Sequence, residues 1–293
     1  MLTFDFADVN GIRMHYAQAG SGKLVLFAHG FPEFWYCWKD LLPEFARDHH
    51  AVAPDLRGYN LTSKPAAVAD YDIGILVDDL GALAKSLGHK TFTLVAHDWG
   101  GGVAWSLALR HPEWLERLII INSPHPTIFE RELNTNPAQQ KASMYTRMFQ
   151  SPKAEAQLAA NSYQALVDTL LTDGLKRGVF SAADREAYLA AWAQPGALTG
   201  MLNYYRAANL GPPIKPGETA RSFETGLKDP IVRVPTLVIW GERDPHLLTT
   251  NLDGLDALVP DLTVRRVPDG THWVIHEQPQ AVIGYMRAFM GRK

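Results

Sequence analysis

Short apolar runs alternate with amphipathic segments along the first 120 residues of the chain. The apolar runs are bounded by polar or turn residues, which is typical of buried strands; they are Leu24–Ala28, Ala51–Pro54, Phe92–Ala96 and Leu118–Ile121. The intervening segments have apolar residues at helical spacing or helix-favouring composition; they are Trp38–Ala46, Ile73–Leu87 and Gly101–Leu109. This alternation predicts an α/β fold with a mostly parallel sheet and helices on both faces.

The two ends of this pattern differ from its middle. At the start, Phe4–Ala7 and Ile12–Tyr16 flank Asn10-Gly11, which predicts a β-hairpin and so an antiparallel beginning to the sheet. After Pro235 the alternation returns. Its predicted elements are the strands Thr236–Trp240 and Thr263–Val267 and the helices Leu252–Val259 and Pro279–Met290.

Between these two parts the chain shows helix-like segments and no convincing strand. The alternation stops at Ser123-Pro124, and Ala154–Leu171 and Ala182–Ala193 have helical composition. An insertion of this length exceeds ordinary connections between strands. We therefore expect an α/β core formed by residues 1–123 and 226–293, interrupted by an α-helical cap at residues 124–225.

Composition and charge exclude several classes of protein and of binding site for this chain. Hydrophobic residues make up 46% and charged residues 20%, which is ordinary globular composition. The formal net charge of −3 leaves no basic excess for binding nucleic acid. The single cysteine, Cys37, excludes an intrachain disulfide and cannot build a thiolate metal site alone. With no signal-peptide pattern at the N-terminus and no apolar run of about 20 residues, we expect a cytoplasmic protein without a membrane span.

A carboxylate follows the predicted strand Phe92–Ala96, the third apolar run of the chain. In Val95-Ala96-His97-Asp98-Trp99-Gly100-Gly101, Asp98 stands at a strand-to-helix turn among small residues. This is the layout of a nucleophile elbow, with aspartate where many hydrolases have serine. A helix-capping role is the alternative for Asp98 on this segment alone.

Three other loops follow predicted strands and contain candidate chemistry. His29-Gly30-Phe31-Pro32 could direct a backbone N–H at a developing oxyanion, although an ordinary turn fits as well. Asp244 is a candidate orienting acid, with Glu242 as its competitor, and His272 is a candidate base. The chain order of nucleophile, acid and histidine is that of the α/β hydrolases, and all three follow strands at one edge of the sheet.

These motifs together resemble an α/β-hydrolase-fold enzyme with a helical cap, along essentially the whole chain. An aspartate nucleophile within that fold is typical of epoxide hydrolases and of haloalkane and haloacetate dehalogenases. The segments His-Gly-Phe-Pro and His-Asp-Trp-Gly-Gly resemble the epoxide hydrolases most. Haloalkane dehalogenases typically have Asn in the place of Phe31, and fluoroacetate dehalogenases typically have Arg in the place of Trp99. Asn122 stands near the place where fluoroacetate dehalogenases tend to have the acid, and an amide cannot serve as that acid.

The resemblance also implies two cap tyrosines that would hydrogen-bond the epoxide oxygen. Met144–Pro152 and Leu202–Arg206 resemble the segments that contain them, which assigns the pair to Tyr145 and Tyr205. Tyr204 is an adjacent competitor whose side chain would point about 100° away on a helix. Packing on an amphipathic helix is the alternative role for both.

The implied reaction is the opening of an apolar epoxide by water to a vicinal diol, without a metal or an organic cofactor. Asp98 would form an alkyl ester, which water activated by His272 and Asp244 would hydrolyse. The backbone N–H groups of Phe31 and Trp99 would form the oxyanion hole. The candidate pocket walls are Trp35, Trp99 and Trp273.

Other functions and the assembly state stay open at this level. A dehalogenase with the same three catalytic residues is the alternative enzyme. A non-catalytic ligand receptor on the same fold is the alternative from another class, and the completeness of the apparent triad argues against it. We expect no nucleic-acid partner, and either a monomer or a homodimer.

Overall fold

Eight strands form one sheet in the computed structural model, which describes residues 1–224 and 228–291. The strands are β1 (Thr3–Val9), β2 (Ile12–Gly20), β3 (Leu24–Ala28), β4 (His50–Pro54), β5 (Phe92–His97), β6 (Leu115–Ile121), β7 (Thr236–Gly241) and β8 (Leu262–Val267). Their spatial order is β1-β2-β4-β3-β5-β6-β7-β8. β2 pairs antiparallel with β1 and with β4, and the remaining neighbours are parallel. The predicted mostly parallel sheet is confirmed.

The predicted hairpin at the start of the chain is also confirmed. Asn10 and Gly11 have φ angles of 45° and 76°, and Val9 pairs with Ile12. Two consecutive residues with positive φ are what a type I′ turn requires, and Asn-Gly adopts them readily.

Thirteen α-helices connect or follow the strands within the described residues. They are α1 (Leu42–Phe45), α2 (Ile73–Ser86), α3 (Trp99–Arg110), α4 (Pro126–Thr135), α5 (Pro137–Ala142), α6 (Tyr145–Phe149), α7 (Ala154–Leu166), α8 (Thr172–Arg177), α9 (Ala182–Trp192), α10 (Ala197–Ala208), α11 (Leu255–Leu258), α12 (Val274–Glu277) and α13 (Pro279–Met290). Short 3₁₀ turns lie at Trp35–Trp38, Val68–Tyr71, Pro112–Trp114 and Thr249–Leu252, and a π-helical turn at Val167–Leu171. No helix in the described part of the chain is long and apolar enough to cross a membrane.

The two faces of the sheet bury alternate residues of the same strands. In β3, Leu24, Leu26 and Ala28 belong to a cluster with residues of α2 and α3. Val25 and Phe27 belong to a second cluster with residues of α1, α12 and α13. Because neighbouring side chains of a strand point to opposite faces, this alternation means that helices cover both faces.

Among the described residues between β6 and β7 there are seven helices, α4 to α10, where the sequence predicts the helical cap. The one strand-like pairing described there is an isolated bridge between Gly211 and Arg221. The predicted cap boundary between residues 225 and 226 lies outside the described residues, so the division into core and cap stays a prediction.

Three predicted helices are shorter or more broken than expected. Within Trp38–Ala46 only α1 is α-helical, and it begins next to Pro43, which cannot donate a hydrogen bond inside a helix. Within Ala154–Leu171, residues 160–163 leave the helical conformation, and α7 gives way to the π-helical turn. Within Leu252–Val259, Gly254 has a φ of 80° and separates a 3₁₀ turn from α11.

Candidate active site

Asp98 lies on the sharp turn between β5 and α3, at the carboxyl edge of the sheet. Its φ and ψ are 49° and −121°, a conformation that a non-glycine residue rarely adopts. The turn is tight because its neighbours are small. A Cβ on Gly100 would clash with the carbonyl oxygen of Ala28, and one on Gly101 would clash with the side chain of Ser123. The predicted elbow geometry is therefore present.

The two oxygens of the Asp98 carboxylate have different partners. Oδ1 accepts a hydrogen bond of 2.7 Å from the backbone N–H of Phe31, and Oδ2 lies 3.5 Å from Nε2 of His272. Burial alone would raise the pKa of Asp98, but its hydrogen bond with His272 and the charge of that residue hold it below its ordinary value. Asp98 is therefore an ionised carboxylate with one oxygen bound to the backbone and the other facing the imidazole.

Asp244 and His272 form a buried pair behind Asp98. Nδ1 of His272 lies 2.6 Å from Oδ2 of Asp244. Oδ1 of Asp244 accepts hydrogen bonds from the backbone N–H groups of His246 and Leu247, at 2.8 and 2.9 Å. Asp244 is 4% exposed, whereas its competitor Glu242 forms an ion pair with Arg266 at the surface. The structure thus places Asp244, and not Glu242, against the histidine.

His272 is held in its protonated form in this arrangement. Burial would lower its pKa, but the charge and hydrogen bond of Asp244, followed by those of Asp98, raise it to about 10. The imidazole therefore joins two carboxylates as a cation while both are ionised.

The backbone donors of the predicted oxyanion hole lie on either side of Asp98. Gly30 approaches so closely that a Cβ there would clash with the Asp98 carboxyl group, and this approach brings the N–H of Phe31 to Oδ1. Trp99 is the first residue of α3, and the first four N–H groups of a helix have no intrahelical acceptor. Both N–H groups are thus at the carboxyl end of the sheet beside the candidate nucleophile.

Two tyrosines from the segment between β6 and β7 contact the same cavity as Asp98. Tyr145 begins α6 and Tyr205 lies in α10, with ring centroids 6.4 Å apart. Burial raises the pKa of both phenols well above the ordinary value, and the negative charge of Asp98 acts in the same direction. Both are therefore hydrogen-bond donors at neutral pH. Tyr204 points elsewhere, since its hydroxyl donates to the carbonyl oxygen of Arg57 at 2.9 Å.

A mostly apolar cavity of about 480 Å³ connects these groups. It is lined by Phe31, Asp98, Tyr145, Met148, Phe149, Ala154, Gln157, Leu158, Ala165, Leu166, Thr169, Tyr205, His246, His272 and Trp273. A cavity of this size and character suits a small, mostly apolar molecule.

The three predicted wall tryptophans have different positions. Trp273 lines the cavity, and Trp99 lines a small adjoining pocket that shares Asp98 and both tyrosines with it. The prediction for Trp35 is wrong: it is absent from both linings and packs edge-to-face against Phe4 of β1, with a centroid distance of 4.9 Å. Trp35 begins the 3₁₀ turn that follows the oxyanion loop, residues 29–33, and its backbone N–H donates to Oδ1 of Asp55 at 3.1 Å.

Two residues that sequence reasoning did not assign take part in the site. Nδ2 of Asn122 donates to Oδ2 of Asp244 at 2.8 Å, and its Oδ1 accepts from the N–H of Gly241 at 2.8 Å. The side chain of His246 lines the cavity beside Tyr145, with a centroid distance of 5.2 Å. The position of Asn122 directly after β6 was an available signal, whereas nothing in the sequence around His246 distinguishes it from a loop residue.

Comparison with known proteins gives a consistent set of relatives. Residues 23–279 match the family model described as the alpha/beta hydrolase fold. The AB hydrolase superfamily protein YfhM of Bacillus subtilis is 38% identical over 96% of this chain and 97% of its own length. Epoxide hydrolase 4 of Mus musculus is 36% identical over 96% of this chain and 77% of its own.

A solved structure matches as well. A mutant of an epoxide hydrolase from Bacillus megaterium, complexed with its product (R)-3-[1]naphthyloxy-propane-1,2-diol, is 38% identical with a TM-score of 0.92. The match covers 98% of this chain and 100% of that one. The similarity therefore extends over the sheet and over the helices between β6 and β7.

Proposed function

The chain belongs to the α/β-hydrolase fold family and, within it, to the epoxide hydrolases, and from this premise we propose that it hydrolyses an apolar epoxide to a vicinal diol through a covalent ester on Asp98. The observation that carries this proposal is the composition of one cavity. It contains an ionised carboxylate, two phenolic donors and a histidine paired with a second carboxylate.

In the first step, Oδ2 of Asp98 attacks an epoxide carbon. The C–O bond of the ring breaks, and its electron pair goes to the epoxide oxygen. Tyr145 and Tyr205 donate hydrogen bonds to that oxygen and one of them supplies its proton, because an alkoxide is a poor leaving group. The product of this step is an alkyl ester of Asp98.

In the second step, His272 first gives the proton that it holds in the resting protein to the phenolate left by the first step, because Asp98 has lost its charge. The neutral imidazole then removes a proton from water, and the hydroxide attacks the ester carbonyl carbon of Asp98. Asp244 holds the imidazole through Nδ1 and stabilises its positive charge. Negative charge develops on Oδ1 of Asp98, where Phe31 donates in the resting structure and Trp99 can donate from the start of α3. Collapse of this intermediate breaks the bond between Cγ and Oδ2 of Asp98, and the proton of the attacking hydroxyl passes to the departing oxygen, which completes the diol. Asp98 is left as a carboxylate and His272 as the protonated imidazole of the resting protein.

The hydroxyl groups favour an epoxide over an organohalide as the substrate. A departing halide is already a stable anion and does not need a proton, whereas an epoxide oxygen does. Two buried phenols at the reacting carboxylate therefore have a task in epoxide opening. They have no equivalent task in halide release.

The test of this proposal is incubation with styrene oxide and, separately, a fatty-acid epoxide, with detection of diols. A haloalkane and a haloacetate, with detection of halide, form the second arm. We expect diols from at least one epoxide, and none from Asp98→Ala, because no other group in the cavity can form the ester. Halide release without any diol formation would assign the site to dehalogenation instead.

A further inference from the structure

The loop that contains Phe31 is tied to a helix of the cap by hydrogen bonds at two successive residues. Nε1 of Trp192 donates to the carbonyl oxygen of Pro32 at 2.6 Å, and the hydroxyl of Tyr188 donates to Oε1 of Glu33 at 3.0 Å. Both donors belong to α9, and both side chains are at most 2% exposed. Two hydrogen bonds from α9 thus reach the residues that directly follow the oxyanion donor, Phe31.

The hydrogen bond from Tyr188 is strong because its acceptor, Glu33, is a buried and ionised carboxylate. Its burial alone would raise its pKa, but the charge and hydrogen bond of His276 hold it well below the usual range. Nε2 of His276 lies 2.5 Å from Oε1, and Nδ1 of His97 lies 3.2 Å from Oε2. Hydrogen bonds to an ionised acceptor are about twice as strong as neutral ones.

The same loop forms a tight turn that fixes the direction of the Phe31 N–H. The backbone N–H of Glu33 donates to the carbonyl oxygen of Gly30 at 2.9 Å, so Phe31 and Pro32 are the two central residues of the turn. The carbonyl of Gly30 and the N–H of Phe31 belong to the same peptide group, so a displacement of Glu33 that weakens this hydrogen bond lets that peptide group rotate. The N–H of Phe31 would then turn away from Oδ1 of Asp98.

We propose that Trp192 and Tyr188 are positioning residues, through which cap helix α9 holds the oxyanion donor of the core in place. This inference rests on the proposed function, since it assumes that Asp98 is alkylated and then hydrolysed. It assigns a task to α9 although neither Trp192 nor Tyr188 lines the cavity. The cap then supplies the phenols of the first step and also aligns the backbone group of the second.

The two half-reactions depend on this alignment in different ways. As the ester forms, negative charge leaves Oδ1 of Asp98, so the bond from Phe31 weakens and stabilises the first transition state less than the ground state. When water attacks, negative charge returns to Oδ1, and the bond strengthens in the second transition state. Loss of alignment therefore slows hydrolysis of the ester and leaves alkylation unchanged or slightly faster.

The variants Trp192→Phe and Tyr188→Phe remove one donor each and keep an aromatic ring in place. Tyr204→Phe is the matched control, because its hydroxyl is also buried and also joins the cap to the core, at Arg57, away from the oxyanion loop. Formation and decay of the ester are followed by rapid quenching and intact-protein mass spectrometry during a single turnover of styrene oxide. Circular dichroism identifies the folded variants, and Tyr188→Phe carries the test if Trp192→Phe does not fold.

We expect hydrolysis of the ester to slow by about tenfold in each α9 variant, less than the roughly 10²–10³ that loss of a whole oxyanion donor costs. Alkylation should keep its wild-type rate, and Tyr204→Phe should keep the wild-type ratio of the two rates. If the folded α9 variants slow both half-reactions equally, or keep the wild-type ratio of ester hydrolysis to alkylation, the inference is overturned. Formation of the ester in the wild-type protein would still uphold the proposed function in that case. Absence of an ester in the wild-type protein during turnover of an epoxide that it converts to a diol would contradict both.

Discussion

His272 lies between two carboxylates, and this determines when it can act as a base. Asp244 and Asp98 together raise its pKa to about 10 against the effect of burial, so it is protonated in the resting protein at neutral pH. In the proposed mechanism, alkylation removes the charge of Asp98. The pKa of His272 then falls, and the base becomes available at the step that needs it.

Replacement of His272 by Gln should trap the ester. Alkylation needs Asp98 and the two tyrosines, whereas hydrolysis needs the base. Intact-protein mass spectrometry after addition of styrene oxide should show an increase equal to the mass of one substrate molecule. The double variant with Asp98→Ala is the control and should stay unmodified. An unmodified His272→Gln protein with unimpaired steady-state turnover would rule out the assigned role.

Removal of the phenolic hydroxyls should slow the first half-reaction. Tyr145→Phe or Tyr205→Phe should reduce the single-turnover rate of alkylation by roughly 10²–10³, by analogy with the deletion of an oxyanion donor. The double variant should be slower still, although the two effects need not add. Tyr204→Phe is the neighbouring control. Alkylation by the folded double variant at the wild-type rate would refute the tyrosine assignment.

At the residue scale, the sequence predicts the site residues that belong to motifs. It does not predict side chains whose position depends on the path of a loop. The motif around Asp98 and the chain order of Asp244 and His272 lead to residues that the structure brings together. His246 and the orientation of Trp35 depend on which way a loop turns, and no periodicity encodes that. The choice between Tyr204 and Tyr205 follows from the helical rotation between adjacent residues and needs the helix to be placed.

At the scale of elements, the turn between β5 and α3 depends on the absence of side chains at its neighbours. The start of α3 lies so close to β3 that a Cβ on Gly100 would meet the backbone carbonyl of Ala28. Backbone atoms of a central strand cannot move aside as a flexible side chain can. The helix itself would have to shift, and Asp98 with it.

Gly100→Ala should therefore lower both stability and turnover. We expect a loss of about 1–3 kcal/mol in the free energy of unfolding, typical of overpacking. Gly284→Ala in α13 is the matched control: a Cβ there meets nothing within 4 Å, so we expect a gain of about 1 kcal/mol from helix propensity. Urea unfolding and single-turnover alkylation measure the two effects. A Gly100→Ala protein as stable and active as the wild type would contradict the account of the turn.

The sequence predicts best those strands and helices in which the apolar positions of the sequence are also the buried positions of the structure. The central strands β3 to β7 are all present where the sequence predicts strands, because strands buried on both faces contain continuous apolar runs. The interruption of α7 at residues 160–163 was not predicted, since its Ala- and Gln-rich segment has good helix formers on both sides. Residues 160–162 are exposed, so the pattern of buried positions gives no signal of this interruption.

At the scale of the whole molecule, the charges at the site couple folding to pH. His272 has a folded pKa of about 10, above the value of about 6.5 expected in the unfolded chain. Its stabilising contribution is therefore complete below about pH 6.5 and is lost as the pH rises toward 10. This is the opposite sign from Asp98 and Asp244, whose lowered pKa values contribute stability that is lost in acid.

The free energy of unfolding should therefore fall more steeply between pH 6.5 and pH 10 in the wild type than in His272→Gln. Urea unfolding at several pH values measures both curves, and their difference isolates the imidazole from other titrating groups. Parallel curves across this range would mean that the two carboxylates do not stabilise the charged histidine in the folded protein.

The most direct test of the central claim, a covalent ester on Asp98, uses the unmodified enzyme in water enriched in ¹⁸O. With enzyme in excess over styrene oxide, each molecule reacts once. One diol oxygen then comes from the epoxide and the other from Asp98, while the oxygen of water enters the carboxyl group of Asp98. We predict an unlabelled diol and one ¹⁸O atom in the peptide that contains Asp98. A diol labelled in this first turnover, with an unlabelled peptide, would show that water attacks the epoxide directly and would contradict the account.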